Sequence, residues 1–346
     1  MPREDIDSPP QPLCDNHGRR IRYLRLAITD RCNLRCHYCM PEEGVTPVGR
    51  RDTLSYEEMT RLARLFPSMG IDKVRITGGE PFARRDCLYL LRALKAVGVA
   101  DLRLTTNGVE TWRHLEALRD LGLSGLNLSL DSLERGRFAA ITRRDHLDAV
   151  LKTLFNALAL GLALKINTVA LADLRDEEMR RLAELARDNP ITVRFIEPMS
   201  FSGLPISVCQ QAGRQADATG SAPEANEPLA ARLARLFPHA DAARPSGVSM
   251  VFSPPGFVGK IGYIAGHSRS FCQRCDKIRI TAVGMLKNCL YDNGVLDLRR
   301  LLRGGATDAE IAQAIRLAVS RRNIDGHRTE QDCARSQQPS MATIGG

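Results

Sequence analysis

The chain has 346 residues, of which 43% are hydrophobic and only 5% aromatic, and its formal net charge is +9. This length suits one large domain with a smaller one. No apolar run is long enough to span a membrane, and the first residues lack the apolar stretch of a secretory signal, so we expect a cytoplasmic protein. The positive charge predicts an anionic partner. Because the basic residues are scattered and aromatic residues are few, a small polyanion such as a nucleotide triphosphate fits at least as well as a nucleic acid.

Short β-like runs alternate with amphipathic helical patterns between about residues 22 and 198. The runs lie at 23–29, 72–77, 101–106, 125–130, 163–170 and 191–197, and the helical patterns at 56–66, 87–97, 112–121, 147–160 and 176–187. This alternation predicts βαβ units and a mainly parallel α/β sheet. Six strands are fewer than the eight of a closed barrel, so we predict a partial (βα)6 barrel with its functional residues at the carboxyl ends of the strands.

The second half of the chain changes character. Residues 207–228 are rich in small and polar residues, 248–280 are β-like, and 296–303 and 308–319 have helical patterns. These features predict a linker followed by a smaller α+β domain. We therefore divide the chain into a flexible leader at 1–20, a barrel at 21–200, a linker or mobile loop at 201–230, a C-terminal domain at 231–335, and a tail at 336–346 that ends in Gly-Gly.

The sequence contains ten cysteines, and six of them form two tight groups. In a chain without a secretion signal, clustered cysteines favour metal binding or redox chemistry over disulfides. The remaining four are given no role: Cys14, Cys87, Cys209 and Cys333.

The first group is Cys32, Cys36 and Cys39, in the loop after the first strand. Three thiolates are one too few for a structural zinc site, whereas a [4Fe–4S] cubane held by three leaves one iron open for a further ligand. This CxxxCxxC run, with Tyr38 before its last cysteine, resembles the signature of the radical S-adenosylmethionine (SAM) superfamily. The second hallmark of that superfamily follows the second strand as the GGEP run at 78–81. A zinc knuckle completed by His37 is the alternative, but it explains neither the GGEP run nor the position after a strand.

The second group is Cys272, Cys275 and Cys289. Taken alone, this spacing favours zinc about as often as iron, and either His267 or Cys333 could complete a zinc site.

The order of barrel, linker, second cysteine group and terminal Gly-Gly resembles the molybdenum cofactor biosynthesis protein A family, the GTP 3′,8-cyclases. The resemblance covers residues 22–346. The runs that carry it are LRLAITDRCNLRCHYCMP (24–41), VRITGGEPFARRD (74–86), LTTNG (104–108), NLSLD (127–131), RFIEPM (194–199), CDKIRITAVG (275–284) and MATIGG (341–346).

This resemblance implies a lyase with two [4Fe–4S] clusters at opposite ends of a barrel cavity. The first cluster, on Cys32, Cys36 and Cys39, would bind SAM and cleave it to a 5′-deoxyadenosyl radical. The radical would remove the 3′ hydrogen of GTP, and the ribose carbon would then attack C8, giving 3′,8-cyclo-7,8-dihydro-GTP in the first step of molybdenum cofactor biosynthesis. The second cluster would bind the guanine of GTP.

The resemblance also assigns individual residues. Those expected to contact SAM are Tyr38, Gly79, Glu80, Ser129 and Met199. Those expected to bind GTP are Arg25, Lys73, Arg75, Thr105, Lys165, Arg194, Lys277 and Arg279. The expected catalytic residues are Arg75, Lys165, Gly345 and Gly346. The two glycines are included because the tail of this family reaches into the active site. The glycines of the GGEP run are expected to let the backbone approach SAM closely.

The sequence departs from the family at several places. Lys277 stands where the family usually has arginine, residues 201–243 lack the usual helix pattern, and residues 247–264 match only loosely. Two other functions therefore stay open: a diverged radical SAM enzyme with an auxiliary cluster acting on a peptide or another substrate, and a zinc-bound nucleic-acid module. The partners that the resemblance implies are a flavodoxin- or ferredoxin-like reductant and the synthase that forms cyclic pyranopterin monophosphate, and a homodimer is compatible with it.

Overall fold

The computed structural model describes residues 12–199, 227–333 and 341–344. Within these residues all named strands join one twelve-stranded sheet. The strands are β1 (Tyr23–Ala27), β2 (Lys73–Thr77), β3 (Asp101–Thr106), β4 (Gly125–Ser129), β5 (Leu164–Val169), β6 (Thr192–Ile196), β7 (Arg244–Ser246), β8 (Ser249–Phe252), β9 (Lys260–Ile264), β10 (Lys277–Ile280), β11 (Met285–Lys287) and β12 (Leu296–Asp297).

Strands β1 to β6 lie side by side in sequence order, and every pair is parallel. The predicted six-strand parallel core of an α/β fold is therefore confirmed. The α-helices of the described residues are α1 (Tyr56–Leu65), α2 (Cys87–Ala96), α3 (Leu115–Asp120), α4 (Arg135–Thr142), α5 (Leu147–Ala159), α6 (Asp176–Glu184), α7 (Leu229–Leu236), α8 (Leu298–Arg303), α9 (Asp308–Ser320), α10 (Gly326–Cys333) and α11 (Met341–Ile344).

The helices begin where the sequence offers caps and apolar periodicity. Ser55 and Glu58 form a capping box at the start of α1, and Met59 and Leu62 of that helix are buried. The pattern predicted as one helix at 112–121 is instead a short 3₁₀ turn, Thr111–His114, followed by α3.

The strands of the C-terminal part extend the same sheet at both edges. Strand β10 pairs parallel to β1, and β9 pairs parallel to β6. A short antiparallel extension follows on each side, β11 and β12 beyond β10, and β8 and β7 beyond β9. This part of the chain therefore supplies the neighbours that β1 and β6 need to be interior strands.

Several predicted features lie outside the described residues. They include most of the leader, residues 200–226 of the linker region, Cys209, Gly345 and Gly346. Among the residues that are described, no helix is long and apolar enough to cross a membrane.

Candidate active site

A cavity of about 580 Å³ lies against the inner face of β1–β6 and the first cysteine loop. Most of the residues predicted to form a site line this one cavity. They are Cys32, Cys36, Cys39, Tyr38, Gly79, Ser129, Met199, Arg25, Lys73, Arg75, Thr105, Lys165, Arg194 and Lys277. Glu80, Arg279 and the second cysteine group do not line it.

Alternate residues of each strand face this cavity, as the two-residue period of a strand requires. On β2 and the loop after it the alternating residues are Lys73, Arg75, Thr77 and Gly79, and Gly78 of the loop also lines the cavity. The basic residues come first along the strand, and Gly79 follows Arg75 by four residues, about 13 Å along an extended chain. The expectation that all functional residues lie at the carboxyl ends is therefore wrong for the cations, which occupy the beginning and middle of their strands.

The first cysteine loop supplies donors suited to thiolates. Burial raises the pKa of Cys32, and burial, Asp131 and Cys39 raise the pKa of Cys36 well above its usual value, so the three thiols influence one another. The backbone N–H of Leu34 donates to Sγ of Cys32 at 3.4 Å, and Nδ2 of Asn107 donates to the same atom at 3.6 Å. Three neighbouring thiols with amide donors fit a [4Fe–4S] cluster.

The glycines of the GGEP run line the cavity and also pack closely against the cysteine loop. A Cβ at Gly79 would overlap the carbonyl group of Arg31, and a Cβ at Gly78 would lie 2.6 Å from the carbonyl oxygen of Thr29. The N–H of Gly79 donates to that Thr29 oxygen at 2.8 Å. The two glycines thus let the loop after β2 pack directly on the cysteine loop, and their expected approach to SAM stays a prediction.

Glu80 lies behind the cavity wall and is fully buried. Its carboxylate accepts hydrogen bonds from the N–H groups of Phe82 and Asn107 and from the hydroxyl of Thr106. Burial raises its pKa to about 7. In the structure Glu80 holds Asn107, which in turn donates to Cys32, and its expected contact with SAM stays a prediction.

Seven basic side chains among the described residues line the cavity: Arg25, Lys73, Arg75, Arg103, Lys165, Arg194 and Lys277. Burial, followed by the charges of Arg194 and Arg103, lowers the pKa of Lys165 to about 8. Burial and Arg279 lower the pKa of Arg25 to about 9. The largest charges acting on Lys165 are all cationic, and a polyanionic ligand would relieve their mutual repulsion.

The second cysteine group lies toward the opposite end of the sheet from the first. Cys275 precedes β10, which runs parallel to β1, whereas Cys32 follows β1. Lys277, at the first position of β10, lines the cavity, while Arg279 lies two residues further along.

The thiols of this group have polar partners of their own. Nη2 of Arg322 donates to Sγ of Cys275 at 3.1 Å, and Nη1 of Arg19 donates to the carbonyl of Cys272 at 3.0 Å. Burial alone would raise the pKa of Cys275, but Arg322 and Lys277 lower it below its usual value. Burial raises the pKa values of Cys272 and Cys289.

Neither zinc alternative is matched by converging ligands. In the part of the chain that the structure describes, no three His, Cys, Asp or Glu side chains are grouped to hold a single metal ion. This observation covers His37, His267 and Cys333; a cubane is different, because each thiolate binds its own iron.

The tail approaches the same cavity. Met341 lines it, and Ile344 of α11 is buried. Gly345 and Gly346 follow directly but lie outside the described residues, so their predicted role stays a prediction.

Several cavity residues escaped the sequence analysis. They are Tyr23, Arg103, Asn107, Asn127, Asp131 and Asn167. Their position in the sequence offered one signal that they share a face with the predicted site. Each lies an even number of residues from a predicted site residue on its own strand or on the loop that follows it. Singly, however, none differs from an ordinary polar strand residue.

Comparison with known proteins decides the family. Residues 26–186 match the model of the Radical SAM superfamily, and residues 191–328 match that of Molybdenum Cofactor Synthesis C. A GTP 3′,8-cyclase of Moorella thermoacetica is 39% identical over 337 residues, covering 96% of this chain and 99% of that protein. The chain belongs to the GTP 3′,8-cyclase family. As a radical SAM protein it uses a [4Fe–4S] cluster and SAM.

Two further relatives and one solved structure are also similar to this chain. A GTP 3′,8-cyclase of Chlorobaculum tepidum is 38% identical, covering 96% of this chain and 97% of that protein. Human molybdenum cofactor biosynthesis protein 1 is 37% identical over 314 residues, and the chain spans about half of its length (48%). The crystal structure of Streptococcus suis SuiB bound to S-adenosylmethionine matches with a TM-score of 0.57 at 16% identity, covering 87% of this chain and 69% of that one. This last similarity concerns the fold alone.

Proposed function

We propose that this protein converts GTP to 3′,8-cyclo-7,8-dihydro-GTP, the first step of molybdenum cofactor biosynthesis, with SAM as the source of the radical. One observation carries the proposal: three clustered thiols and seven basic side chains line the same cavity. The thiols suit an iron–sulfur cluster, and the cations suit a triphosphate.

The cysteine end of the cavity provides the SAM site. Cys32, Cys36 and Cys39 hold the cluster, and Tyr38, Ser129 and Met199 line the space beside them. When bound, the cluster and SAM supply the 5′-deoxyadenosyl radical that takes a hydrogen atom from the ribose of GTP. The protein's own contribution is to hold the two reactants in the correct orientation and to keep water away from the radical.

The basic end of the cavity binds GTP. Arg75 is only 5% exposed, and its Nη1 donates to the carbonyl of Leu104 at 3.0 Å and to Oγ1 of Thr105 at 3.3 Å, so its position is fixed before substrate arrives. Nη2 of Arg194 donates to Oδ1 of Asn167 at 2.6 Å. Preset guanidinium groups bind phosphate oxygens at a smaller entropic cost than mobile ones.

The second cysteine group is proposed to hold a second [4Fe–4S] cluster that binds the guanine. Its location toward the opposite end of the sheet, with Lys277 between it and the cavity, supports this role. Arg279 lies near this group, since the thiols of Cys275 and Cys289 act on its pKa, and it is proposed to act there rather than on the phosphates. The electron donor, the synthase that uses the product, a homodimer and a cytoplasmic location stay predictions.

An anaerobic assay tests the function. Iron-reconstituted protein is incubated with SAM, dithionite and GTP, and the products are analysed by mass spectrometry. We expect 5′-deoxyadenosine together with a cyclised isomer that has the mass of GTP. ATP is the control nucleotide and should return unchanged. Cleavage of SAM with GTP untouched would contradict the assignment of GTP as substrate.

A further inference from the structure

Tyr23 occupies the centre of the basic end of the cavity. It is the first residue of β1, and it lies in register with Lys73 on β2 and with Lys277 on β10. It is 9% exposed and lines the cavity. One aromatic residue therefore separates two lysines on the adjacent strands.

The contacts of Tyr23 reach three of the cavity cations. Nζ of Lys277 lies 5.1 Å from the ring centroid and Nζ of Lys73 lies 5.4 Å from it, both within cation–π range. The hydroxyl oxygen of Tyr23 accepts a hydrogen bond from Nε of Arg75. Arg75 has its other contacts on β3, so Tyr23 fixes the guanidinium from the opposite side.

We propose that Tyr23 is a positioning residue for the triphosphate of the substrate, holding Arg75, Lys73 and Lys277 at fixed spacing before the nucleotide binds. The proposal rests on the proposed function, since it takes the ligand to be GTP. The negative face of the aromatic ring reduces the repulsion between the two lysines, and the hydroxyl aligns the arginine.

The electrostatics at Tyr23 are consistent with this role. Burial alone would raise the pKa of Tyr23, but Arg75 and Arg25 lower it below its usual value. The two arginines therefore lie close enough to the hydroxyl to act on it through their charge.

Two substitutions separate the hydroxyl from the ring. Tyr23→Phe removes only the hydrogen bond to Arg75, and Tyr23→Leu also removes the ring. Dissociation constants for GTP, GDP and guanosine are measured by equilibrium dialysis on the iron-reconstituted protein, with the constant for SAM measured in parallel. We expect Tyr23→Phe to weaken GTP binding by about tenfold and Tyr23→Leu by more. The loss should shrink from GTP to GDP and vanish for guanosine, and SAM binding should not change.

A double variant tests whether Tyr23 acts through Arg75. In an Arg75→Ala background, Tyr23→Phe should weaken GTP binding by less than about twofold, because the partner of the hydroxyl is already gone. Tyr89→Phe, at an exposed tyrosine of α2, is the control and should match the unsubstituted protein. Unchanged GTP binding in Tyr23→Phe, or an equal loss for GTP and guanosine, would overturn the proposal. If the unsubstituted protein cleaves SAM but leaves GTP untouched, the proposed substrate is wrong, but the dependence of nucleotide binding on phosphate number still tests Tyr23.

Discussion

The hydroxyl of Tyr38 donates to Oδ2 of Asp131 at 2.7 Å, while Oδ1 of the same carboxylate accepts from the N–H of Val169 at 2.8 Å. Asp131 follows the end of β4, and Val169 is the last residue of β5. One buried carboxylate therefore ties the first cysteine loop to two strands of the sheet. Both carboxylate oxygens of Asp131 accept hydrogen bonds, so a substitution that places a donor at this position would break one of them.

Asp131→Asn should weaken SAM binding by about tenfold, since the new NH₂ group must face either the Tyr38 hydroxyl or the Val169 N–H and leave one buried donor unpaired. The measurement is the dissociation constant for SAM together with iron content. Asp145→Asn, at an exposed ion pair with Arg135, is the matched control and should change neither. An Asp131→Asn protein that binds SAM as tightly as the unsubstituted one would show that the carboxylate does not position the loop.

Gly79→Ala should prevent normal assembly of the first cluster, because the added methyl group overlaps the backbone of Arg31. We expect the iron that this site retains after reconstitution to fall severalfold, and uncoupled SAM cleavage to fall with it. Gly136→Ala on α4 is the control, since a Cβ there meets nothing within 4 Å. That variant should be neutral or slightly more stable, as alanine is in a helix. Equal iron contents in the two variants would contradict the packing argument.

GTP binding should weaken as pH rises above about 8. Lys165 has a lowered pKa of about 8 in the free protein, and a bound triphosphate favours its charged form and raises that pKa. The affinity is then full below pH 8 and falls by up to tenfold per pH unit above it, until the pKa of the complex is reached. The charged groups that act on this lysine are Arg194, Arg103, Arg75 and Lys73.

Lys165→Met identifies the group responsible. This variant should bind GTP more weakly at about pH 7, and its GTP affinity should lose most of its pH dependence between about 7.5 and 8.5, around the pKa of Lys165. Equilibrium dialysis across that range gives both numbers. The same slope in the variant as in the unsubstituted protein would assign the titration to another group.

Cys272→Ser should lower the iron content after reconstitution from about eight to about four atoms per chain, because each cubane holds four. SAM cleavage without GTP should continue, whereas GTP affinity should fall. Cys14→Ser, at an exposed cysteine, is the control and should keep the full iron content. An unchanged iron content in Cys272→Ser would remove the second cluster from the proposed function.

The local elements were predictable because their signals are local. The run at 101–106 is β3 as found, and the capping residues before α1 mark its start within one turn. The pairing of β10 with β1 was not predictable, since the period of a strand carries no information about a partner some 250 residues away. For the same reason, the sequence did not predict that Arg103 lines the cavity. A Cβ at position 125 would lie only 3.1 Å from Nη1 of Arg103, so Gly125 on the adjacent strand leaves the space that this side chain occupies.

Motif matching located the site but did not show how some of its residues pack. Gly78 and Gly79 line the cavity, and a Cβ at either position would also overlap the cysteine loop, which the motif alone does not reveal. Glu80 belongs to the same run, and its side chain turns into the wall. The direction in which a side chain points depends on packing between distant segments, and a motif does not record it.

The pairing of β9 and β10 with the edges of the parallel core bears on how the chain folds. Until residues 260–280 are synthesised, β1 and β6 each lack one hydrogen-bonded neighbour. A nascent or truncated chain ending near residue 200 would thus present two open strand edges, which invite pairing with other chains. The residues that complete the sheet also include Lys277, so a chain acquires this cavity-lining cation and covers the exposed edge of β1 in the same step.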